Sequence, residues 1–300
     1  MTLNQNHMDS GNQFYQWQQS ALFACDARMD ERAFAFGDGF FSTIGVYDGQ
    51  MICANLHQKR ILAGLAAFKL GLDDERLMFD LAELAGQINQ GIIKIIITRA
   101  VQAVRGYGFV ADHQHGNTAQ IFIKVMPLPI YQQVAFFRGI PVQPVQPRSM
   151  VLLDSQIAHR PARLSGIKLI GCAEQVLAHS ELLAHQQADG GIADGLVANV
   201  HGDWVCATMG NIFYQLDNRG LDNGQWYTPP VDKSGVLGVM RTAIIHQNLL
   251  GAVSERVLTT ADLVSVRRLV STNAVRGITP ISQLCVGDDR LPLDTQILLS

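Results

Sequence analysis

The sequence predicts a mixed α/β fold of the α+β kind, built as two lobes. Segments with helical spacing of apolar residues stand between segments of strand character, in an irregular order rather than a regular strand–helix alternation. Two prolines, Pro127 and Pro129, form a stiff connector near the middle of the 300 residues. Hydrophobic residues make up 48% of the chain and charged residues only 16%, which indicates a folded protein with a large core.

The first lobe is predicted over residues 21–126, after a polar leader at residues 1–20. Asp48-Gly49 is typical of a hairpin turn, so we expect a strand over 40–47 and a return strand over 51–54. Apolar residues at helical spacing predict helices over 55–70 and 75–90, and isoleucine-rich or apolar runs predict buried strands over 91–99 and 120–126.

The second lobe is predicted over residues 139–300, after a connector at 127–138. Helices are expected at 173–187 and 238–250, with a helical turn at 260–264. Strands are expected at 139–145, 195–200, 204–208, 211–216, 268–272 and 277–286.

Charge and cysteine content exclude several classes of protein. The 23 basic and 26 acidic residues give a net charge of −3 without any block of like charge, so neither nucleic acid nor a membrane is an expected partner. Five cysteines without a CxxC pattern disfavour a disulfide framework or structural zinc, and a leader without an apolar core predicts a cytoplasmic protein. His113 and His115 form HxH in a polar loop without a third ligand, so we expect no metal site.

Lys168 is the candidate nucleophile. It lies in an apolar segment, residues 165–171, with no acidic residue within five positions. Loss of hydration lowers the pKa of a lysine and makes its neutral amine reactive towards carbonyls. Lys94 and Lys124 have similar apolar neighbours, and a lysine extending from a strand edge into solvent is the alternative.

A phosphate site is predicted by three further features. Residues 234–241 form a glycine-punctuated turn that leads into a helix, where backbone N–H groups can bind phosphate. Ser271-Thr272-Asn273 offers hydroxyl and amide donors after a strand, and Arg60 can add a charge. A lysine that reacts with carbonyls and a set of phosphate donors are what pyridoxal 5'-phosphate requires.

A series of motifs covers residues 25–285 in order. They are Phe36-Gly37-Asp38-Gly39, Val46-Tyr47-Asp48-Gly49, His57-x-x-Arg60, Thr98-Arg99, Arg105-Gly106-Tyr107, Gly166-Ile167-Lys168, Glu174-Gln175-Val176-Leu177, Asn211-Ile212-Phe213, Gly235-x-x-Gly238-Val239-Met240-Arg241 and Thr272-Asn273-Ala274. On these motifs the chain resembles the fold-type IV pyridoxal-phosphate enzymes, which include branched-chain and D-amino acid aminotransferases and 4-amino-4-deoxychorismate lyases. The resemblance implies a two-domain D-amino acid aminotransferase-like fold and a homodimer.

The chain is most similar to the aminodeoxychorismate lyases. That similarity implies a lyase which eliminates pyruvate from 4-amino-4-deoxychorismate to give 4-aminobenzoate for folate synthesis. It implies that Lys168 is the catalytic lysine bound to the cofactor and that an amino acid-like small molecule is the substrate. Cofactor contacts are implied for Arg60, Cys206, Asn211, Gly238, Val239, Met240, Thr272 and Asn273, and substrate carboxylate contacts for Arg99, Arg105 and Tyr107.

Three positions depart from the family. Cys206 stands where the family has the glutamate that pairs with the pyridine nitrogen, Gly171 replaces an asparagine, and Arg267-Arg268 replaces an acidic pair. A thiol cannot stabilise a pyridinium as a carboxylate does. The chemistry then tolerates a neutral pyridine, or a neighbour such as Thr208 substitutes, or the protein is a degenerate relative without lyase activity. An aminotransferase of the same fold is the other alternative.

Overall fold

The computed structural model describes residues 13–18, 21–24, 31–104, 106–110, 119–217, 224–297 and 299. Contacts between residues divide this part of the chain into two compact units. The N-terminal unit holds the described residues up to Gln132 together with Ile167–Gly171, and the C-terminal unit holds Gln133–Gly166 and the described residues from Cys172 onward. The division falls inside the predicted connector at 127–138, whereas the placement of Ile167–Gly171 in the first unit differs from the predicted lobes.

The N-terminal unit is built on a six-stranded antiparallel sheet with two longer helices. The strand order is β2-β1-β6-β5-β3-β4. The strands are β1 (Gln13–Gln18), β2 (Ala21–Ala24), β3 (Gly39–Tyr47), β4 (Gln50–Met51), β5 (Gly91–Arg99) and β6 (Ala119–Pro127). The helices are α1 (Arg32–Phe36), α2 (Ala54–Phe68) and α3 (Asp74–Ile88).

Residues of β5 alternate between the two faces of this sheet. Ile93, Ile95 and Ile97 are fully buried in one cluster with apolar side chains of α2 and α3. Lys94 and its even-numbered neighbours are only partly buried, on the opposite face. The two helices therefore cover one face, and Lys94 projects from the other.

The C-terminal unit contains a twelve-stranded mixed sheet. Its main path is β18-β17-β9-β10-β11-β12-β15-β16-β8-β7, with β13 and β14 beside β12. The strands are β7 (Ala135–Phe137), β8 (Ile140–Val142), β9 (Ser149–Ile157), β10 (Ile192–Asn199), β11 (Trp204–Ala207), β12 (Gly210–Leu216), β13 (Trp226–Thr228), β14 (Val253–Glu255), β15 (Val266–Asn273), β16 (Gly277–Ile281), β17 (Gln283–Val286) and β18 (Asp289–Pro292). The helices are α4 (Ala173–Ala188), α5 (Val239–His246) and a 3₁₀ turn at Thr260–Ser265.

One row of residues crosses three strands of the larger sheet in register. Cys206 of β11 pairs with Asn211 of β12, and Asn211 pairs with Thr272 of β15. Residues directly opposite each other in a sheet project from the same face. Ile212 and Tyr214, on the other face of β12, are fully buried in an apolar cluster. The row, which we call the site row, therefore lies on the face turned away from that cluster.

The prediction of a polar leader over residues 1–20 is wrong for Gln13–Gln18, which form strand β1. Trp17 is buried, and its indole N–H donates to the Asp80 carboxylate of α3 at 2.6 Å. One aromatic anchor with a buried hydrogen bond thus places a polar segment in the sheet. The return strand predicted over 51–54 is also shorter, because Cys53 adopts φ +55° and α2 begins at the next residue.

Within the described residues, no helix is both long enough and apolar enough to cross a membrane.

Candidate active site

The lysine segment (Ile167–Gly171) lies along the first residues of β3. The Phe41 N–H donates to the Lys168 carbonyl at 2.9 Å, and the Ile170 N–H donates to the Gly39 carbonyl at 3.1 Å. Gly39 is needed here, since a Cβ at this position would overlap the backbone of the neighbouring strand. The backbone on both sides of Lys168 is therefore held, and only its side-chain torsions remain to be set.

Two lysine amines meet at the ring of Phe41. The Lys168 Nζ lies 4.6 Å from the ring centroid, and the Lys94 Nζ lies 4.9 Å from it. Lys124 of β6 stands directly opposite Lys94 in the sheet register. Sequence reasoning weighed Lys94 and Lys124 only as rivals of Lys168. The structure instead gathers positive charge beside Lys168 on the half-buried face of the sheet, which favours binding of carboxylates.

Arg99, a predicted substrate contact, is held inside the N-terminal unit. Its Nε donates to the Asp38 carboxylate at 3.0 Å, its Nη2 donates to the Phe68 carbonyl at 2.6 Å, and its guanidinium lies 3.7 Å from the centroid of the Phe109 ring. Arg32 binds the same carboxylate at 2.7 Å. The Arg99 Nη1 is buried without a hydrogen-bond partner among the described residues. One carboxylate thus faces two arginines, which leaves this cluster with a net positive charge.

Asp38 is the central residue of this cluster, and sequence reasoning missed both Asp38 and Arg32. The Asp38 backbone carbonyl also accepts from the Thr98 hydroxyl at 2.6 Å and from the Arg99 N–H at 3.3 Å. The signal was present in Gly37-Asp38-Gly39, which entered the sequence analysis only as part of the family resemblance.

The other two predicted substrate contacts are less constrained. Tyr107 is 86% exposed, its carbonyl accepts from the Arg32 Nη2 at 3.2 Å, and its ring lies 5.3 Å from the ring of Phe36. Arg105 lies outside the described residues. Arg32 thus links the two described residues: it shares the Asp38 carboxylate with Arg99 and donates to the Tyr107 carbonyl.

Helix α2 presents Arg60 next to a buried histidine. The His57 Nδ1 lies 2.8 Å from the Ser42 hydroxyl. Burial and the charge of Arg60 lower the pKa of His57 to about 3, so this imidazole is neutral at physiological pH. Burial lowers the pKa of Arg60 to about 10, which still leaves the guanidinium charged and able to bind a phosphate.

The glycine turn (residues 234–238) carries the predicted phosphate donors of the C-terminal unit. Gly235 adopts φ +87°, which favours glycine, and the Leu237 N–H donates to the Gly166 carbonyl at 2.8 Å. Helix α5 begins after Gly238, and no side chain caps it. The first N–H groups of a helix lack partners within the helix, so they can bind an anion.

Asn211 holds this turn in place. Its Nδ2 donates to the Val236 carbonyl at 2.9 Å, and its Oδ1 lies where a Cβ on Gly238 would stand. Thr272, the next member of the site row, is 2% exposed, and its hydroxyl lies 3.4 Å from the Asn211 carbonyl. The structure therefore assigns Asn211 a positioning role, with Thr272 beside it.

The remaining predicted cofactor contacts are placed as follows. Val239 and Met240 form the first turn of α5 and are buried. The Asn273 Oδ1 accepts from the backbone N–H groups of Val275 and Arg276 at 3.0 and 2.8 Å, so this side chain shapes the turn after β15. Cys206 is 5% exposed and packs in an apolar cluster with residues of β9, β10 and α4.

Each unit, taken by itself, offers groups that suit one part of the predicted cofactor. The uncapped start of α5 suits a phosphate, and an amine held beside an aromatic ring suits an aldehyde. A third part is the pyridine nitrogen, for which Cys206 offers only a weak acceptor.

Among the residues that the structure describes, no group of three or more histidine, cysteine, aspartate or glutamate side chains could hold a metal ion. The predicted pattern of His113 and His115 lies outside them.

Comparisons with known proteins identify the family and the fold. A family model for amino-transferase class IV matches residues 39–284. An aminodeoxychorismate lyase of Vibrio harveyi is 27% identical over 266 residues, which is 88% of this chain and 89% of that protein.

Solved structures show the same fold. The 4-amino-4-deoxychorismate lyase of Pseudomonas aeruginosa superposes with a TM-score of 0.75 at 24% identity, covering 93% of this chain and 94% of that one. The branched-chain amino acid aminotransferase of Escherichia coli superposes with a TM-score of 0.68 at 20% identity, covering 92% and 89%. A further branched-chain aminotransferase, at 15% identity and a TM-score of 0.66 over 92% and 88% of the chains, is complexed with N-(5'-phosphopyridoxyl)-L-glutamate. The fold is thus shared by lyases and aminotransferases.

Proposed function

Because this chain belongs to the amino-transferase class IV family, we propose that it is a pyridoxal 5'-phosphate-dependent lyase that eliminates pyruvate from 4-amino-4-deoxychorismate. The product is 4-aminobenzoate, which serves folate synthesis. The observation that carries the proposal is the pair of lysine amines at the Phe41 ring, one to hold the cofactor and one to bind a carboxylate. The relative from Vibrio harveyi, named as a lyase of this kind, supports the choice of reaction.

Each part of the cofactor has a candidate partner. Lys168 would hold the aldehyde carbon covalently. The first N–H groups of α5 and the Thr272 hydroxyl would hold the phosphate, and the Arg60 guanidinium is a further candidate partner for it. When bound, the cofactor supplies an electron sink for charge that develops on the carbon bearing the substrate amino group.

With its amine free, Lys168 would act as the general base. Its neutral amine would take the proton from the ring carbon that bears the substrate amino group. The bond between the neighbouring ring carbon and the enol ether oxygen then breaks, and the departing enolate takes up a proton on its terminal carbon to become pyruvate. The ring becomes aromatic, which makes the elimination strongly favourable. Lys94, Arg99, Arg105 and Tyr107 are the candidates for binding the two substrate carboxylates.

Cys206 bears on the choice between lyase and aminotransferase. A thiol beside the pyridine nitrogen weakens the electron sink compared with a carboxylate. An elimination driven by aromatisation depends less on that sink than a transamination does. The lyase is therefore the reaction that this site supports best.

The test uses the purified protein, loaded with pyridoxal 5'-phosphate and treated with borohydride. We expect a reduced adduct on Lys168, located by peptide mass spectrometry, and release of 4-aminobenzoate and pyruvate from 4-amino-4-deoxychorismate. Lys168→Ala should lose both the adduct and the activity. Lys94→Ala is the matched control, and we expect it to keep the adduct while its KM rises.

Three outcomes would contradict the proposal in different ways. The absence of an adduct on Lys168 would make the protein a degenerate relative. An adduct without 4-aminobenzoate, together with conversion of the cofactor to its amine form by L- or D-amino acids, would make it an aminotransferase. An adduct that persists in Lys168→Ala would place the reactive amine at another lysine.

A homodimer in the cytoplasm remains part of the proposal. The family resemblance carries it, and Val176 and Leu177 at the start of α4 are 65% and 64% exposed, as expected of side chains that another subunit covers. Sedimentation velocity would test the dimer, and a monomer would contradict it.

A further inference from the structure

A buried arginine joins the first turn of α5 to the neighbouring strands. Arg241, the third residue of α5, is 4% exposed. Its Nε donates to the Thr228 hydroxyl at 3.3 Å, and its Nη2 donates to the Glu255 carboxylate at 2.5 Å and to the Pro229 carbonyl at 3.4 Å. The guanidinium therefore lies at the ends of β13 and β14, where Thr228 and Glu255 stand in register.

The Thr228 hydroxyl extends this link to β12. It is fully buried, and it donates to the Ile212 carbonyl at 2.8 Å while it accepts from Arg241. One hydroxyl can do both, because it has one proton and two lone pairs. Ile212 directly follows Asn211, whose side chain holds the glycine turn through the Val236 carbonyl. The start of α5 is therefore tied to two adjacent residues of β12, through the glycine turn on one side and through Arg241 on the other.

The contacts of Arg241 distinguish it from the groups that bind phosphate. An arginine beside a glycine turn is, by residue type, a candidate to bind the phosphate itself. Here, however, its Nε and Nη2 bind a hydroxyl, a carbonyl and the Glu255 carboxylate. That carboxylate offsets the charge which would attract an anion and fixes the direction of the guanidinium. The backbone N–H groups of the first turn remain to bind the phosphate.

We propose that Arg241 is a positioning residue for the cofactor phosphate. It holds the first turn of α5 to β12 through Thr228 and to β14 through Glu255, so that the N–H groups at the helix start converge on one anion. A site whose donors are already held in place loses less free energy on binding than one whose donors must first be ordered. This inference rests on the proposed cofactor but not on the proposed substrate.

The experiment compares pyridoxal 5'-phosphate with pyridoxal, which lacks the phosphate. The Kd of each compound is measured on the full-length, cofactor-free protein from the change in absorbance on binding. The ratio of the two Kd values, which we call the phosphate preference, isolates the phosphate site, because both compounds carry the same aldehyde and ring. The wild type should bind the phosphate ester more tightly.

Two substitutions break the link inside the unit. Arg241→Gln and Thr228→Val should each lower the phosphate preference about tenfold, the loss typical of one hydrogen bond to a charged group, and should change the Kd of pyridoxal little. The double variant should lose no more than Arg241→Gln alone, because both substitutions interrupt the same link.

Removal of the Glu255 carboxylate separates positioning from direct binding by the sign of its effect. If Arg241 bound the phosphate itself, Glu255→Ala would free the positive charge and raise the phosphate preference. If Arg241 positions the turn, the same substitution loosens the guanidinium and lowers the preference, which is the result we expect. The Glu255 side chain is 59% exposed, so this variant leaves the core intact.

Two controls account for net charge and for stability. Asp189→Ala removes an exposed carboxylate of the same unit, where it pairs with Arg290, and should leave the phosphate preference unchanged. Arg256→Gln removes a guanidinium that binds the Asp262 carboxylate rather than Thr228 or Glu255. It should lower stability in urea denaturation without lowering the phosphate preference.

The outcomes overturn different statements. A phosphate preference that Arg241→Gln or Glu255→Ala leaves at or above the wild-type value overturns the positioning role. A loss of affinity shared equally by both compounds also overturns it, because a general disturbance of the fold affects both alike. Equal affinity of the wild type for the two compounds overturns the phosphate site and the positioning role together, and failure to bind either overturns the cofactor assignment as well. The expected preferences in a protein that releases no pyruvate keep the positioning role and overturn only the lyase.

Discussion

Replacing Gly238 with alanine tests whether the glycine turn is packed as closely as the structure indicates. Gly238 has φ −67° and ψ 137°, which any residue adopts, so alanine brings no backbone strain. Its Cβ would, however, overlap the Asn211 Oδ1. Asn211 cannot move away without loss, because it is 5% exposed and its Nδ2 donates to the Val236 carbonyl at 2.9 Å.

The expected size of the effect follows from these contacts. Overpacking of a buried site costs about 1–3 kcal/mol. Loss of the hydrogen bond between Asn211 and Val236 adds about 1 kcal/mol. Replacing glycine reduces the freedom of the unfolded chain, which offsets about 0.5–1 kcal/mol. We therefore expect Gly238→Ala to lower the free energy of unfolding by about 2–3 kcal/mol and to weaken retention of the cofactor.

Urea denaturation of the cofactor-free protein measures this change. Gly86→Ala is the matched control, because Gly86 lies within α3 with no atom within 4 Å of an added Cβ. Alanine there should stabilise the protein by about 0.5–1 kcal/mol. Asn211→Ala removes the obstructing amide, so the double variant with Gly238→Ala should be no less stable than Asn211→Ala alone. Independent, additive losses in the double variant would refute the proposed overlap.

Two further predictions concern buried charges in the N-terminal unit. Asp38→Asn leaves Arg32 and Arg99, which are 6% and 1% exposed, without their carboxylate. It should lower the free energy of unfolding, measured by urea denaturation, by about 3–5 kcal/mol, whereas Asp48→Asn in an exposed turn should change it little. Equal effects of the two substitutions would contradict the ion-pair cluster. Burial lowers the pKa of His57 in the folded state from the ordinary 6.5 to about 3. Below pH 6.5 the unfolded state therefore binds more protons than the folded state, and the free energy of unfolding decreases as the pH is lowered. The loss should approach about 1.4 kcal/mol per pH unit between pH 6 and 4, and it should be absent in His57→Asn, so parallel pH profiles of the two proteins would show that His57 is not the responsible group.

The elements best predicted from sequence are those whose signal is local. The strand expected over 91–99 is β5, Gly91–Arg99, because its signal is a local run of isoleucines that follows a glycine. The helix expected over 173–187 is α4, Ala173–Ala188. By contrast, β9 was not predicted, since its place depends on pairing with β10 and β17, which follow it by dozens of residues. Propensity does not record such partners.

The candidate site divides in the same way. The amine of Lys168 and the glycine turn were predicted because each carries its signal in adjacent residues. Asp38 was missed because its partner is distant in sequence: Arg99 lies 61 residues after it. A carboxylate is recognisable as a site residue only when the group it serves is known.

The burial of polar side chains on the site row also shows why Cys206 matters. Asn211 and Thr272 are 5% and 2% exposed, although residues on the opposite face of the same strands form an apolar cluster. A sheet face that served only packing would be more stable with valine at such positions, because buried polar groups gain little over water. Their polarity is therefore better explained by a polar ligand on this face. Cys206 is the one member of the row without a strong acceptor.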